Sequence, residues 1–151
     1  MTKLNRNLEY AFMALDHFRR SPDLSSVKEL SSAWGVPFDT LSSVLQKLVK
    51  AKILTSTQGV SGGYNLSGNL ESLTVYELLF IVQGPVEIAR CIGDRPEDCS
   101  LSSICKIKSP VELLNVKLVD FYKSVKVLDL LLSSDQKVDA VPSVKREEVS
   151  V

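Results

Sequence analysis

Histidine is nearly missing from this 151-residue chain, in which His17 stands alone. An enzyme built on it would have to work almost without the commonest acid–base group. The P-loop, the Gly-rich dinucleotide fingerprint and the serine elbow are missing as well, so no catalytic activity is expected. No apolar run approaches the ~20 residues that a membrane-spanning helix needs. With 44% hydrophobic and 24% charged residues, the composition is that of an ordinary globular protein, and no membrane partner is expected. Met1 to Arg20 is interrupted by charge and has no secretory apolar stretch. Cysteine is confined to Cys91, Cys99 and Cys105 and occurs nowhere else.

That confinement is the most informative feature present. An odd number leaves a thiol over from any disulfide pairing, and the expected compartment is the reducing cytoplasm. Clustered thiols there are metal ligands or redox sensors, and the plainer alternative is three small residues coinciding in a loop. Seven and then five residues separate the three. Structural zinc sites bring cysteines in pairs about two to four apart, so zinc is the less suited metal, whereas thiolates are the normal ligands of iron–sulfur clusters. Three thiolates leave one iron to a weaker or exchangeable group.

The net charge is zero, yet residues 1–58 carry eight Lys or Arg against five Asp or Glu, and residues 59–105 carry two against six. Positive charge concentrated in the first third fits a polyanionic partner as well as an ordinary solvated surface. Leu8, Ala11, Phe12, Leu15 and Phe18 recur at helical spacing and predict a helix over Asn5 to Arg20. Ser26 with Glu29 makes a capping box for a second helix through Val27, Leu30 and Ala33, ended by Gly35. Pro37 opens a third, with Leu41, Val44, Leu45, Leu48 and Val49 as its buried stripe. A short helix, a glycine turn and a helix with a small polar outer face is the pattern of a helix-turn-helix, although a generic three-helix core reads the same way. Lys47, Lys50 and Lys52 suit phosphates.

Ile53 to Thr57 and Tyr64 to Leu66 predict a hairpin wing around Gln58 to Gly63, where Gly62 and Gly63 permit close approach to DNA. Thr74 and Glu77 cap a fourth helix running to Gln83. From Ser109 onward, Val111, Leu114, Leu118, Phe121, Val125, Leu128 and Leu132 alternate steps of three and four over three heptads. This predicts one continuous dimerisation helix with the seam Leu114, Leu118, Phe121, Val125 and Leu128, or else a long helix folded on its own core. Residues 133–151 are polar and aperiodic, which predicts a disordered tail. The expected fold is mainly α with a small β-hairpin wing. It divides into a winged helix-turn-helix domain (1–83), a cysteine loop (84–108), a dimerisation helix (109–132) and the tail (133–151).

This order of elements, with Leu4 to Ala11 (LNRNLEYA), Gly62-Gly63-Tyr64, the LTVYELL run from Leu73 and the three cysteines, resembles a family of winged-helix transcription regulators that sense iron–sulfur clusters, the family of IscR, NsrR and RirA. The likeness spans residues 3 to about 132, and the cysteine spacing looks closest to RirA-like iron-responsive members. It implies a homodimeric regulator of a double-stranded DNA operator, expected to be a repressor, that senses iron, redox or nitric-oxide status. The implied cofactor is an iron–sulfur cluster, 4Fe–4S ahead of 2Fe–2S, held by Cys91, Cys99 and Cys105.

IscR-like members place a histidine three positions after the third cysteine; here Lys108 stands there and cannot ligate while protonated. NsrR-like members use a partner-subunit carboxylate just before the first-helix aromatic, which makes Glu9, preceding Tyr10, the candidate fourth ligand. An exposed glutamate with no metal role is the alternative. His17 matches no ligand position and reads as a surface imidazole. Carried over by position, Asp39, Thr40, Ser42 and Ser43 form the base-reading segment. Gln58 stands where IscR has a minor-groove arginine, and Lys47, Gly62 and Gly63 complete the expected DNA contacts. Two other functions stay open: a metal-free thiol switch on the same scaffold, and a small iron–sulfur electron carrier.

Overall fold

The apolar spacing of the first helix, the recognition-type helix and the Thr74-capped helix brings three stripes onto one core. A computed structural model describes residues 5–59, 61–89, 92, 103–133 and 135. Its elements are α1 (Arg6–Arg20), α2 (Val27–Trp34), α3 (Phe38–Lys50), β1 (Leu54–Thr57), β2 (Gly63–Leu66), α4 (Val75–Gln83), α5 (Lys108–Ser124) and α6 (Val127–Ser133). Leu8, Ala11, Leu15 and Phe18 of α1 interlock with Leu41, Leu45 and Leu48 of α3 and with Leu78 and Val82 of α4. Val127 and Leu131 of α6 close the same core. The strands pair antiparallel with Leu54 opposite Leu66 and Thr57 opposite Gly63. This is the mainly helical, winged architecture that the pattern predicts.

The helix ends are chemically specified. Ser26 and Glu29 form a complete capping box on α2, and Thr74 and Glu77 form another on α4. Gly35 adopts the left-handed conformation that turns α2 into α3. α3 ends in a Schellman turn in which Ile53 N–H donates to Leu48 O and Lys52 N–H to Val49 O, with Lys52 at φ 59 where glycine is usual.

The single long helix expected over 109–132 is two helices. Val125 N–Cα–C runs extended, its carbonyl accepts from Val75 N–H, and Val127 N–H donates to Leu73 O, each at 2.9 Å. Residues 125–127 thus pair with the segment before α4, and Val127 becomes fully buried. Burying β-branched Val127 and satisfying the Val75 N–H outweighs one more helical turn. A heptad pattern carries no mark of such a break.

Two residues that the sequence assigns to the tail are instead part of the ordered packing. Ser133 belongs to α6, and Asp135 accepts from Arg19 at 2.9 Å and pairs with Arg20, both of which also hold Asp16. The remainder of the predicted disordered tail, residue 134 and residues 136–151, lies outside the described residues.

Three carboxylates are held below the usual carboxylate range. Burial pushes Asp16 up, but the hydrogen bonds from Arg19 and Arg20 outweigh it. Glu29 and Glu77 are lowered chiefly by the backbone N–H of Ser26 and of Thr74, and then by those residues' hydroxyls. A lowered folded-state pKa means that the contribution is complete above the unfolded value, about 4.3 for Glu, and is lost as pH falls through the folded one. Thermal stability is therefore expected to stay level from about pH 7 to 5 and to drop below about pH 4.5. Thr74→Ala should cost about 1 kcal/mol in urea denaturation at pH 7 and flatten part of that acid limb. An unchanged acid limb in the variant would remove the α4 cap from the account.

Candidate functional site

Burying Leu41, Val44, Leu45 and Leu48 forces the opposite side of α3 outward, and its exposed residues are Phe38, Asp39, Ser43, Gln46 and Lys50. Thr40 and Ser42 are half-buried on the flanks, and Gln46 donates to the Ser42 hydroxyl at 3.3 Å. The wing stands beside this face. A cleft of about 170 Å³ lies between Gln46, Val49 and Lys50 of α3 and Ser56 and Tyr64 of the strands. At the other end, a groove of about 450 Å³ is bordered by Lys28, Phe38 and the wing residues Thr57, Gln58 and Gly59. The structure therefore brings Asp39, Ser43 and Gln58 to one surface, with Thr40 and Ser42 at its edge.

Lys47 is not part of that surface. Its Nζ donates to Val82 O at 2.7 Å, satisfying one of the carbonyls that the end of α4 leaves without a helical partner. A lysine at a helix C-terminus is also favoured by the helix dipole. The stem lies on the α4 side of α3, where sequence position alone cannot separate an outward lysine from a bridging one.

Gly62 and Gly63 have work inside the chain. A Cβ on Gly63 would meet Ser25 backbone atoms at 2.8–3.0 Å, and one on Gly62 would meet Thr57 O at 2.3 Å. Gly62 thus permits the wing turn to close on itself, and Gly63 permits close approach to Ser25, which Tyr64 pairs with through two backbone hydrogen bonds. His17 is likewise no surface imidazole: Nε2 lies 2.9 Å from Ser25 Oγ, and the ring packs edge-on against Phe18 and Trp34. Together they lock the α1–α2 connection onto the wing. Sequence reasoning missed Lys28 and Phe38, since neither breaks its helical pattern; the signal lay in their places in the first turns of α2 and α3.

The cysteine segment is described only at its ends, and Cys91 and Cys99 lie outside the described residues. After α4, Gly84 turns the chain at φ 92, and Ile88 N–H donates to Asn115 Oδ1 at 3.1 Å. At the far end, half-buried Cys105 lies three residues before the start of α5. The first end is thus hydrogen-bonded to α5, and the second runs directly into its start. A cavity of about 340 Å³ beside them is lined by Asn5, Leu79, Val86, Ile88, Leu118 and Tyr122, among others. Glu9 is exposed in the first turn of α1, one turn beyond Asn5.

α5 has no fully buried residue. Leu118, Tyr122 and Val125 are half-buried, and Leu128 of α6 packs on the core with them. Ile107, Leu114 and Phe121, seven residues apart, are 64%, 57% and 59% exposed. The predicted seam is therefore divided: Leu114 and Phe121 are open, whereas Leu118, Val125 and Leu128 turn toward their own domain. Among the described residues no helix is long and apolar enough to cross a membrane.

A helix-turn-helix with a hairpin wing packed on its recognition-type helix is the fold of a DNA-binding regulator. The sequence matches the family described as Rrf2, iron-dependent transcriptional regulator, over residues 4–133, and the chain belongs to that family. It is a transcriptional regulator and not an enzyme. It is 26% identical over 140 residues to the HTH-type transcriptional regulator IscR of Vibrio vulnificus, covering 90% of this chain and 80% of that protein. To the HTH-type transcriptional regulator NsrR of Shouchella clausii it is 22% identical over 135 residues, covering 88% and 91%. The fold is shared with the oxidized form of Staphylococcus aureus CymR, at a TM-score of 0.64 and 15% identity, covering 92% of this chain and all of that one.

The two lysines separate by salt dependence. Lys50→Ala should weaken DNA binding and lower the slope of log affinity against log salt by about 1 per protomer. Lys47→Ala should leave that slope unchanged and cost about 1–2 kcal/mol of stability, the loss of a charge-assisted bond to a helix end. Equal salt slopes for wild type and Lys50→Ala, measured by fluorescence anisotropy, would overturn the assignment of the outward face.

Proposed function

We propose that this regulator acts as a homodimer whose operator affinity is set by an iron–sulfur cluster on Cys91, Cys99 and Cys105, reporting iron, redox or nitric-oxide status, and that it represses. The observation that carries this reading is that the cysteine segment hydrogen-bonds to α5 at one end, through Ile88 and Asn115, and runs into the start of α5 at the other, the helix whose other face is open. The donor set fits the group. Three thiols are the usual complement for three cluster irons, Cys105 is described as a free, half-buried cysteine, and the exposed Glu9 carboxylate is a donor that a second subunit could offer. Bound there, the group would supply an exchangeable iron site that responds to oxidants, nitric oxide or iron supply.

The chain's own residues do the rest. Ile107, Leu114 and Phe121 bury against their copies and fix the distance between two α3 helices, which meet successive major grooves ~34 Å apart. Asp39, Thr40, Ser42 and Ser43 face or flank base edges, while Lys50, Lys28 and Gln58 contact the phosphates and the groove wall. Because the cysteine segment and the open face share α5, a change in the segment alters the geometry in which the two reading helices are held.

A second reading is favoured by the fold shared with CymR, one structure of which is an oxidized form and another of which is described as the global cysteine regulator of B. subtilis. In it the three thiols switch without metal.

Anaerobic purification separates the two. Wild-type protein is expected to carry iron and sulfide, to show visible cluster absorption and to lose both in each Cys→Ser variant. Its operator affinity should differ between loaded and metal-free forms at fixed salt. A colourless protein without iron or sulfide, whose DNA affinity changes on oxidation, establishes the thiol switch instead. Glu9→Ala should lower cluster retention, and unchanged iron content and spectrum remove Glu9 from the site. Phe121→Glu is expected to shift the protein to monomer in sedimentation velocity at micromolar concentration; an unchanged dimer mass would place the interface elsewhere.

A further inference from the structure

Phe38 is the first residue of α3, and 51% of it is exposed. Single exposed apolar residues are common and need no explanation by themselves. The setting of this one is particular. The other exposed residues of α3 are Asp39, Ser43, Gln46 and Lys50, all polar, so Phe38 is the one apolar group on the outward face. It stands at the N-terminal end, which in helix-turn-helix proteins carries the base-contacting residues. It borders the groove shared with Lys28 on α2 and Gln58 on the wing, so a cation flanks it. The end of α3 itself adds positive potential: Pro37 at the N-cap makes no side-chain cap, which leaves the first N–H groups of the helix unsatisfied. An apolar ring on a helix end, with Lys28 across the groove and the Asp39 carboxylate beside it, presents an apolar contact among polar groups, as the floor of the major groove does.

We infer that Phe38 is a specificity-determining residue that meets the methyl group of a thymine in the major groove. Among the major-groove edges of the four bases, the thymine C5 methyl is the apolar feature, so a phenyl ring gains from it and from no other base edge. Asp39 beside it can accept a hydrogen bond and Ser43 can donate or accept one, so among the exposed residues of α3 the methyl contact falls to Phe38. The inference rests on the DNA-binding reading given above.

The test uses the full chain, purified anaerobically in loaded and metal-free forms, to select duplexes from a randomised DNA library. The selected duplex is then remade with deoxyuridine in place of thymidine, one position at a time, which removes only the methyl group. Wild type is expected to lose about three- to fivefold in affinity at one position per half-site, the value of burying one methyl group. Phe38→Ala, exposed and so expected to fold, should bind the thymine duplex with a similar loss and show no thymine–uracil difference. Phe38→Leu, still apolar, should keep part of that difference. Uniform affinity of wild type for every uracil duplex, or a full thymine–uracil difference in Phe38→Ala, overturns the inference while leaving DNA binding intact. A library from which neither form enriches any sequence overturns the DNA-binding reading and the inference with it.

Discussion

Everything in this molecule depends on α3 being buried on one side and bare on the other. Leu41, Val44, Leu45 and Leu48 sit at 0–1% exposure between α1 and α4. Each fully buried leucine of this kind contributes about 1.5–3 kcal/mol, so the stripe fixes the rotation of α3 about its own axis to within a fraction of a turn. That rotation decides which residues a DNA duplex can meet. It sends Asp39, Ser43, Gln46 and Lys50 outward, holds Thr40 and Ser42 at the edges, and turns Lys47 onto α4. The core therefore sets which side of α3 is exposed.

The second constraint is backbone pairing at the root of α4. Leu73 and Val75 exchange hydrogen bonds with Val125 and Val127, while Thr74 caps the helix between them. This small bridge fixes where α5 stops and where α6 turns back into the core. It also explains the division of the heptad seam. Leu128 and Val125 complete the domain's own packing, and only the part of α5 before the break leaves an apolar line open. The ionic contacts of Asp135 with Arg19 and Arg20 then fasten the end of α6 to the end of α1. These groups are partly exposed, so their contribution is modest and falls with salt.

Much of this was legible from residue order because the signals were local. Capping boxes at Ser26 and Thr74, the glycine after α2, the short strands flanking the glycine-rich wing turn and the apolar stripes each specify one short element, and each formed where the pattern put it. What could not be read was decided by contacts distant in sequence. The break at Val125 exists because residues about 50 positions earlier offer an N–H and a carbonyl. Lys47 bridges to Val82 because α4 ends beside it, and His17 is drawn inward by Ser25, Phe18 and Trp34. Gly62 and Gly63 announced a close approach, but only the fold could say that its objects are Thr57 for the first and Ser25 for the second. Of the expected metal site, sequence order supplies the three thiols, and the fold supplies the anchoring of their segment to α5.

The end of α4 is where these constraints meet. Val82 accepts the ammonium of Lys47 from the reading helix, and two residues later Gly84 begins the cysteine segment. Leu79 lines the cavity against α5 that also reaches Val86 and Ile88. The start of the segment after Gly84 is therefore joined to α3 within one chain through the last turn of α4 and the Lys47–Val82 contact. A charge-assisted hydrogen bond is worth about 1.5–3 kcal/mol, and coupling free energies between regulatory sites are of the same size, about 1–3 kcal/mol. The Lys47–Val82 contact also depends on the last turn of α4 being helical, because the Val82 carbonyl it uses is one that the helix end leaves without a helical partner.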